Sequence, residues 1–331
     1  MNASASSSRE IDCIVCGTCV ADILVRPVPL SVPVGGGRLF HVDPIEATTG
    51  GIVCNTGIAM RRLGMRVAAA SLVGADPWGD LVRSRLAAEG IDTTAVESHA
   101  SRATSTTAVL IDPSGERSFA HHVDAPHAID LAFIRRLVPH WSRCRVALVG
   151  YFGLLPGLEP EFAAAIAAVK AAGCRVAVET GGSGGALDQF APALPHIDYY
   201  VPSLDEAVHQ TGLTDPREII GCYRGHGAAG LVGVKLGTRG TVLSEKPGEF
   251  LDIPFIPAPG PVADTTGAGD SFLAGLLAGI LRGMTVREAG LLGAATAACC
   301  VTGLGATAGL RSFEETLRLC AKYGEVSAYQ K

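Results

Sequence analysis

The chain of 331 residues is poor in charge and in aromatic rings: 18% of it is Asp, Glu, Lys or Arg, and 5% is Phe, Trp or Tyr. No long run of Lys and Arg occurs and the net charge is -5. A nucleic-acid surface, which needs a basic patch, therefore has little support. The few aromatics offer no obvious platform for stacking a base. No apolar run reaches the roughly 20 residues that span a bilayer. The opening Met1-Asn2-Ala3-Ser4-Ala5-Ser6-Ser7-Ser8 is polar and lacks the apolar stretch of a signal peptide. Residues 1–10 are expected to be a disordered tail and the protein cytoplasmic. The strand-to-helix GxGxxG fingerprint of a dinucleotide site is missing after the first strand. Gly181-Gly182-Ser183-Gly184-Gly185 is not followed by the Gly-Lys-Ser/Thr of a P-loop. It reads as a loop at the mouth of a site.

Cysteine is not lacking, with ten in all, but a disulfide framework is not the best reading. Most of the cysteines sit inside apolar strand or helix patterns, as at Cys13, Cys16, Cys19, Cys174, Cys299 and Cys300, where buried free thiols are expected. Cys13, Cys16 and Cys19 lie in one predicted strand with no complementary His/Cys cluster downstream, which argues against zinc.

What is present suits a compact α/β protein: 48% apolar residues and 41 glycines. Length alone would suggest about two domains. Ile11–Val20 reads as a buried strand and the Pro/Gly-rich stretch 27–37 as a loop. Phe40–Ala47 reads as a short exposed strand. Thr48 to Gly64 reads as a glycine turn, a helix and a terminating glycine. A strand over Arg66–Val73 and a helix over Gly79–Ala88 follow. Ser105–Ile111 and Arg117–His122 flank Asp112-Pro113-Ser114-Gly115, a hairpin signal. The hairpin and the segment near 40 interrupt the βα rhythm and are read as one small separate sheet. From residue 130 the alternation is regular, with strands near 145–150, 174–180, 199–201 and 231–235 and helices near 160–172, 186–193 and 203–211. Closing helices are expected at 285–302 and 312–322. Such alternation implies a mainly parallel sheet covered by helices on both faces, with ligands beyond the carboxyl ends of its strands.

One stretch organises the rest. Asp264-Thr265-Thr266-Gly267-Ala268-Gly269-Asp270 runs into eleven residues, 271–281, of which only Ser271 is polar. The apolar run reads as a buried helix. Gly275 and Gly279 share one face of it and permit close backbone packing. A small glycine-bearing turn opening a buried helix presents bare N–H groups and a positive dipole end, which suits an anion. Asp270 at its mouth is out of place as a mere cap beside a bound anion. It calls for proton-accepting work or a nearby cation.

The Asp264–Phe272 segment resembles the C-terminal signature of the PfkB/ribokinase family of carbohydrate kinases. Gly50-Gly51 with Asn55 and Leu63-Gly64 resembles the N-terminal signature, and Val73-Gly74-Ala75-Asp76-Pro77-Trp78-Gly79 its usual strand-to-helix turn. The three fall in order, and the likeness runs from about residue 11 to 320. It implies a ribokinase-like fold: one α/β kinase domain over 11–325, with lid segments near 21–49 and 103–124 forming a small β-sheet lid. It implies phosphoryl transfer from ATP, with Mg2+, to a hydroxyl of a sugar or sugar-like substrate. Asp270 matches the general base, and the amides of Gly267, Ala268 and Gly269 match the anion hole. Asp22, Gly50, Gly51 and Asn55 match positions that bond substrate hydroxyls. Lys235, Gly237, Thr238 and Gly240 match the strand and turn at the ATP phosphates, while Gly293 and Thr296 fall where relatives line the adenine pocket. Glu206 matches an acid of the magnesium network, acting through water; its usual Asn partner is Ser203 here. Asp264 matches an acid near a monovalent cation such as K+, with backbone oxygens near Val301, Gly303 and Gly305. Phe119, His121 and His122 fall in the lid, facing substrate, the lid core or a second subunit. A homodimer is expected, since exposed lid edges want partners. The alternatives are a nucleoside kinase of the same family and a non-catalytic sugar- or nucleotide-binding regulator. A nicotinamide oxidoreductase lacks its fingerprint.

Overall fold

The structure, a computed structural model, describes residues 9–32 and 36–324; the tail expected at the N-terminus lies almost wholly outside them. In chain order the strands are β1 (Ile11–Gly17), β2 (Val20–Val25), β3 (Glu46–Gly50), β4 (Val67–Gly74), β5 (Asp92–His99), β6 (Ser105–Ile111), β7 (Arg117–His122), β8 (Cys144–Gly150), β9 (Arg175–Glu179), β10 (Tyr199–Tyr200), β11 (Leu231–Lys235), β12 (Thr241–Ser244) and β13 (Leu251–Ile253). The α-helices are α1 (Ile52–Arg62), α2 (Pro77–Ala88), α3 (Leu131–Arg136), α4 (Val138–Trp141), α5 (Phe162–Ala171), α6 (Leu187–Phe190), α7 (Leu204–Thr211), α8 (Pro216–Gly225), α9 (Ala268–Leu281), α10 (Val286–Cys300) and α11 (Phe313–Cys320).

Nine strands form one sheet in the order β13-β12-β11-β10-β9-β8-β1-β4-β5. It is parallel from β5 to β11, and β12 and β13 close the far edge antiparallel. The central strands β1, β4 and β8 are buried almost throughout, as expected of a parallel sheet with helices on both faces. Strand alternation sends Cys13 and Val15 into one core and Ile14 and Cys16 into the other. The cysteines that look like a ligand set in sequence thus point to opposite sides. All ten cysteines are free thiols. No helix among the described residues is long and apolar enough to cross a membrane.

The four remaining strands form the small sheet, ordered β3-β2-β6-β7. Two expectations shift here. The single strand read over Ile11–Val20 breaks at Thr18-Cys19, because the chain leaves the main sheet at Gly17 and enters the small sheet at Val20. The strand read over Phe40–Ala47 lies at Glu46–Gly50 instead, held by pairing from Leu24↔Glu46 to Val20↔Gly50. Strands β5, β12 and β13 and helix α8 were not foreseen.

Helix α9 is buried on nearly every side. Leu273, Leu276 and Leu277 are fully buried, each contributing about 1.5–3 kcal/mol. The glycines set its distance from α10. A Cβ on Gly275 would meet the Gly293 Cα at 2.7 Å, and one on Gly279 would meet the Ala289 Cα at 2.7 Å. The N-terminus of α9 is thereby fixed beyond the carboxyl ends of the sheet strands.

Candidate active site

Two cavities, of about 620 and 400 Å³, share Tyr151 as a wall residue. The larger is lined by the glycine turn Gly267-Ala268-Gly269, by Asp270, and by Lys235, Gly237, Thr238 and Gly240. The smaller lies under the lid sheet, lined by Asp22, Gly50, Gly51 and Asn55. These residues, which the resemblance assigned to two neighbouring sites, are thus brought together.

Gly267 caps α9 with φ 75° and ψ 4°, a left-handed conformation that glycine takes without strain. A Cβ there would also meet the Ala306 Cβ at 2.5 Å. The first amides of α9 have no partner one turn back, and their residues line the larger cavity. The Ala268 amide makes only a long bond to the Thr265 carbonyl, 3.3 Å. Asp270 sits in the first turn of α9 and is 5% exposed. Its Oδ2 accepts from Asn55 Nδ2 at 2.8 Å and from the Tyr151 hydroxyl at 2.7 Å. Burial raises its pKa above the usual carboxylate value, and the Glu206 charge adds to this. The Asn55 and Tyr151 hydrogen bonds and the Lys235 charge pull the other way.

Lys235, at the end of β11, bonds both oxygens of Glu179 at 3.1 Å. Its Nζ lies 3.3 Å from where a Cβ on Gly269 would stand, so a fixed cation borders the turn. Burial would depress the ammonium, but the charges of Glu179, Glu206 and Asp270 outweigh it and raise its pKa. Burial lifts Glu179 to about 7 despite the lysine. The Lys235 ammonium, paired with Glu179, thus sits beside the cavity within the fields of Glu206 and Asp270. Glu206 is tied to Ser203 by a capping box: Ser203 N and Oγ both donate to Glu206 Oε2, at 2.7 and 2.8 Å. The Ser203 hydroxyl, standing where the family usually has Asn, is spent on that cap.

In the smaller cavity, Asp22 lies opposite Thr107, and Thr107 opposite His121. Thr107 Oγ1 and His121 Nδ1 are 2.9 Å apart. Burial raises the Asp22 carboxyl to about 6, against a hydrogen bond from Thr107. A Cβ on Gly50 would meet Asp22 Oδ2 at 2.3 Å; on Gly51, with φ 82°, it would meet the Thr18 carbonyl at 2.5 Å. Asn55 Oδ1 and Thr18 Oγ1 are buried without a hydrogen-bond partner among the described residues, and both residues line this cavity. Phe119 and His121 face it from the lid, while His122 is on the other side of β7.

Three expected assignments meet a different geometry. Gly293 and Thr296 lie on the α10 face packed against α9, where a Cβ on Gly293 would meet the Phe272 carbonyl at 2.7 Å. Thr296 Oγ1 donates to the Leu292 carbonyl at 2.6 Å. The α10 residues on the cavity wall are Ala294, Ala297 and Ala298, one step round the helix. Asp264 has both oxygens taken: Oδ1 accepts from Arg117 Nη1 at 2.5 Å and the Thr266 amide at 2.7 Å, and Oδ2 from the Gly305 amide at 2.6 Å. The Val301 carbonyl accepts from the Ala263 and Asp264 amides. A guanidinium and four amides thus already donate to the oxygens expected beside a monovalent cation. Thr18, Arg117, Tyr151 and Glu179 are site residues that sequence reasoning missed. The glutamate was within reach, the last but one residue of the strand expected near 174–180, just before the Gly181 loop, of which Gly181 and Gly182 line the larger cavity.

Residues 13–312 match the pfkB family carbohydrate kinases. The chain is 28% identical over 285 residues to the ribokinase of Haemophilus influenzae, covering 85% of this chain and 90% of that one. It is 30% identical over 279 residues to the fructokinase of Klebsiella pneumoniae, covering 80% and 83%. Its fold is similar to that of Arabidopsis thaliana ribokinase solved with ribose and ATP, with TM-score 0.77, 23% identity and coverage of 94% and 98%. The nine-stranded sheet with its small second sheet is thus a ribokinase-like fold, and the chain belongs to the pfkB family of carbohydrate kinases.

Proposed function

We propose that the protein transfers the terminal phosphoryl group of ATP, with Mg2+, to a hydroxyl of a sugar or sugar-like acceptor. The observation that carries this reading is the position of Asp270. It lines the larger cavity, bonds Asn55 on the wall of the smaller one, and sits in the first turn of the helix that the glycine turn opens.

The acceptor occupies the cavity under the lid. A carboxylate and an amide can accept from and donate to several hydroxyls at once, and Asp22 and Asn55 supply both. Asn55 Oδ1 and Thr18 Oγ1, buried and unpartnered, suit further hydroxyl contacts. The nucleotide occupies the larger cavity, its phosphates toward Lys235, Gly237, Thr238, Gly240 and the amides of Gly267, Ala268 and Gly269. Those amides and the α9 dipole stabilise charge on the transferring phosphoryl, and catalysis is mostly positioning and charge stabilisation. Asp270 takes the proton of the attacking hydroxyl. Its raised pKa brings it closer to the operating pH, where a base is most effective.

Mg2+ supplies charge neutralisation across the phosphates. Glu206, which lines the larger cavity, fits as an acid that would help hold the ion through water. Glu206 keeps one oxygen outside its cap, and such ions are held by one or two carboxylates plus substrate phosphates. The ATP seen in the Arabidopsis ribokinase supports the choice of phosphoryl donor. The lid edge β7, with Phe119 61% exposed, supports pairing of two copies as a homodimer.

The test is ADP release over a panel of sugars, sugar acids and nucleosides, with and without Mg2+. At least one sugar-type acceptor should stimulate release in a Mg2+-dependent way. Uniform inactivity with every acceptor would overturn the reading.

A further inference from the structure

Tyr151 belongs to no motif that the sequence displays. It follows β8 and has φ 62° and ψ 50°, the positive-φ non-glycine residue among those described. Side chains rarely adopt that conformation, and it persists where the surroundings over-determine it, typically at functional sites. The Tyr151 amide donates to the Glu179 carbonyl at 2.7 Å, and its own carbonyl accepts from Leu154 at 2.7 Å. Gly181 makes room for the ring, since a Cβ there would lie 2.6 Å from Tyr151 Cδ1. The ring thus stands between the two cavities with its hydroxyl on Asp270 Oδ2.

We infer that Tyr151 is a positioning residue for phosphoryl transfer: with Asn55 it saturates Oδ2 of Asp270 and so presents Oδ1 to the acceptor hydroxyl. The inference rests on the kinase reading above. A general base must first be oriented, and a misplacement of about 1 Å can cost about 10²-fold in rate. Two donors on one oxygen, arriving from α1 and from the loop after β8, fix the rotation of the carboxylate. The tyrosine acts as donor only. Burial and the charges of Asp270 and Glu179 push its own pKa well above 10, so it keeps its proton. The titratable groups facing Asp270 are Tyr151, Lys235, Glu206, Glu179 and Cys300. Of these, Tyr151 alone hydrogen-bonds it among the described residues.

The test is Tyr151→Phe, which keeps the ring and removes the hydroxyl, with Tyr151→Ala as the packing control. In Tyr151→Phe, kcat should fall about tenfold with the KM for ATP within about twofold of wild type. The acid limb of the kcat profile should move up by about one pH unit, since a hydrogen bond to the charged form is lost. Infrared titration of the carboxyl band that vanishes in Asp270→Asn should give the same upward shift without any turnover. An unchanged kcat and an unchanged titration midpoint in Tyr151→Phe would overturn the inference, whatever Tyr151→Ala does. Failure of the kinase reading is separately visible as no phosphoryl transfer by wild type, and the infrared midpoint still decides whether the hydroxyl governs Asp270.

Discussion

Arg117 and Asp264 are 147 residues apart in the chain and joined at 2.5 Å. The arginine is on the lid strand β7 and the aspartate is three residues before the glycine turn. The same guanidinium nitrogen also donates to Thr266 Oγ1 at 2.7 Å. The pair ties the lid to the turn that opens α9, and it is buried, at 15% and 3% side-chain exposure.

Removing one partner of such a pair leaves an uncompensated buried charge. Arg117→Met should therefore destabilise the fold by about 3–5 kcal/mol, measured by urea denaturation. The pH dependence has a definite sign. Asp264 is held below the ordinary carboxylate value: burial would raise it, but Arg117 and the Thr266 and Gly305 amides outweigh that. Its stabilisation is present above the unfolded value and disappears as pH falls toward the lowered folded one. In Arg117→Met acid unfolding should begin at a higher pH. A variant as stable as wild type from pH 3 to 7 would refute the tie.

The same geometry predicts that replacing K+ by Na+ at constant ionic strength leaves wild-type turnover unchanged. Asp264 and the Val301 carbonyl already have donors. A severalfold K+ activation would show that these donors give way to an ion.

Asp22 should make acceptor binding sensitive to mild acid. Burial raises its carboxyl to about 6, so it is ionised above that pH and protonated below. The acceptor KM should rise as pH falls through 6, because a protonated carboxyl accepts fewer hydroxyl hydrogen bonds. In Asp22→Asn the affinity should be lower and its pH dependence flat over the same range. Parallel profiles for the two proteins would assign the titration to another group.

Gly275→Ala separates packing from ligand contact. Its Cβ would lie 2.5 Å from Thr296 Oγ1 and 2.7 Å from the Gly293 Cα. Overpacking of this kind costs about 1–3 kcal/mol. The folded fraction should keep its KM for ATP, since this face of α10 does not line the cavity. The same split between stability and KM is expected for Gly293→Ala.

Much of this arrangement was legible in the sequence. The parallel sheet followed from the βα rhythm, and the lid from the hairpin at 112–115. Asp270, Asn55 and the glycine turn could be named because they fall in short motifs that resemble the family's signatures, and Asp22 because the resemblance extends to its position. The misreadings have physical causes. Strand β3 is exposed at its start and carries no strong alternation, so only its pairing with β2 locates it. Gly293 and Thr296 fell on the wrong face because one residue is a 100° turn of a helix. The roles of Arg117 and Tyr151 depend on partners 147 and 119 residues away, and no local pattern encodes such a contact.

The most direct measurement is single-turnover phosphoryl transfer by Asp270→Asn, with ATP affinity measured in parallel. Loss of a positioned general base costs about 10²- to 10⁴-fold. The variant should lose at least about 10²-fold in rate while binding ATP within a few-fold of wild type. A rate near that of wild type would contradict the assignment of Asp270 as the base.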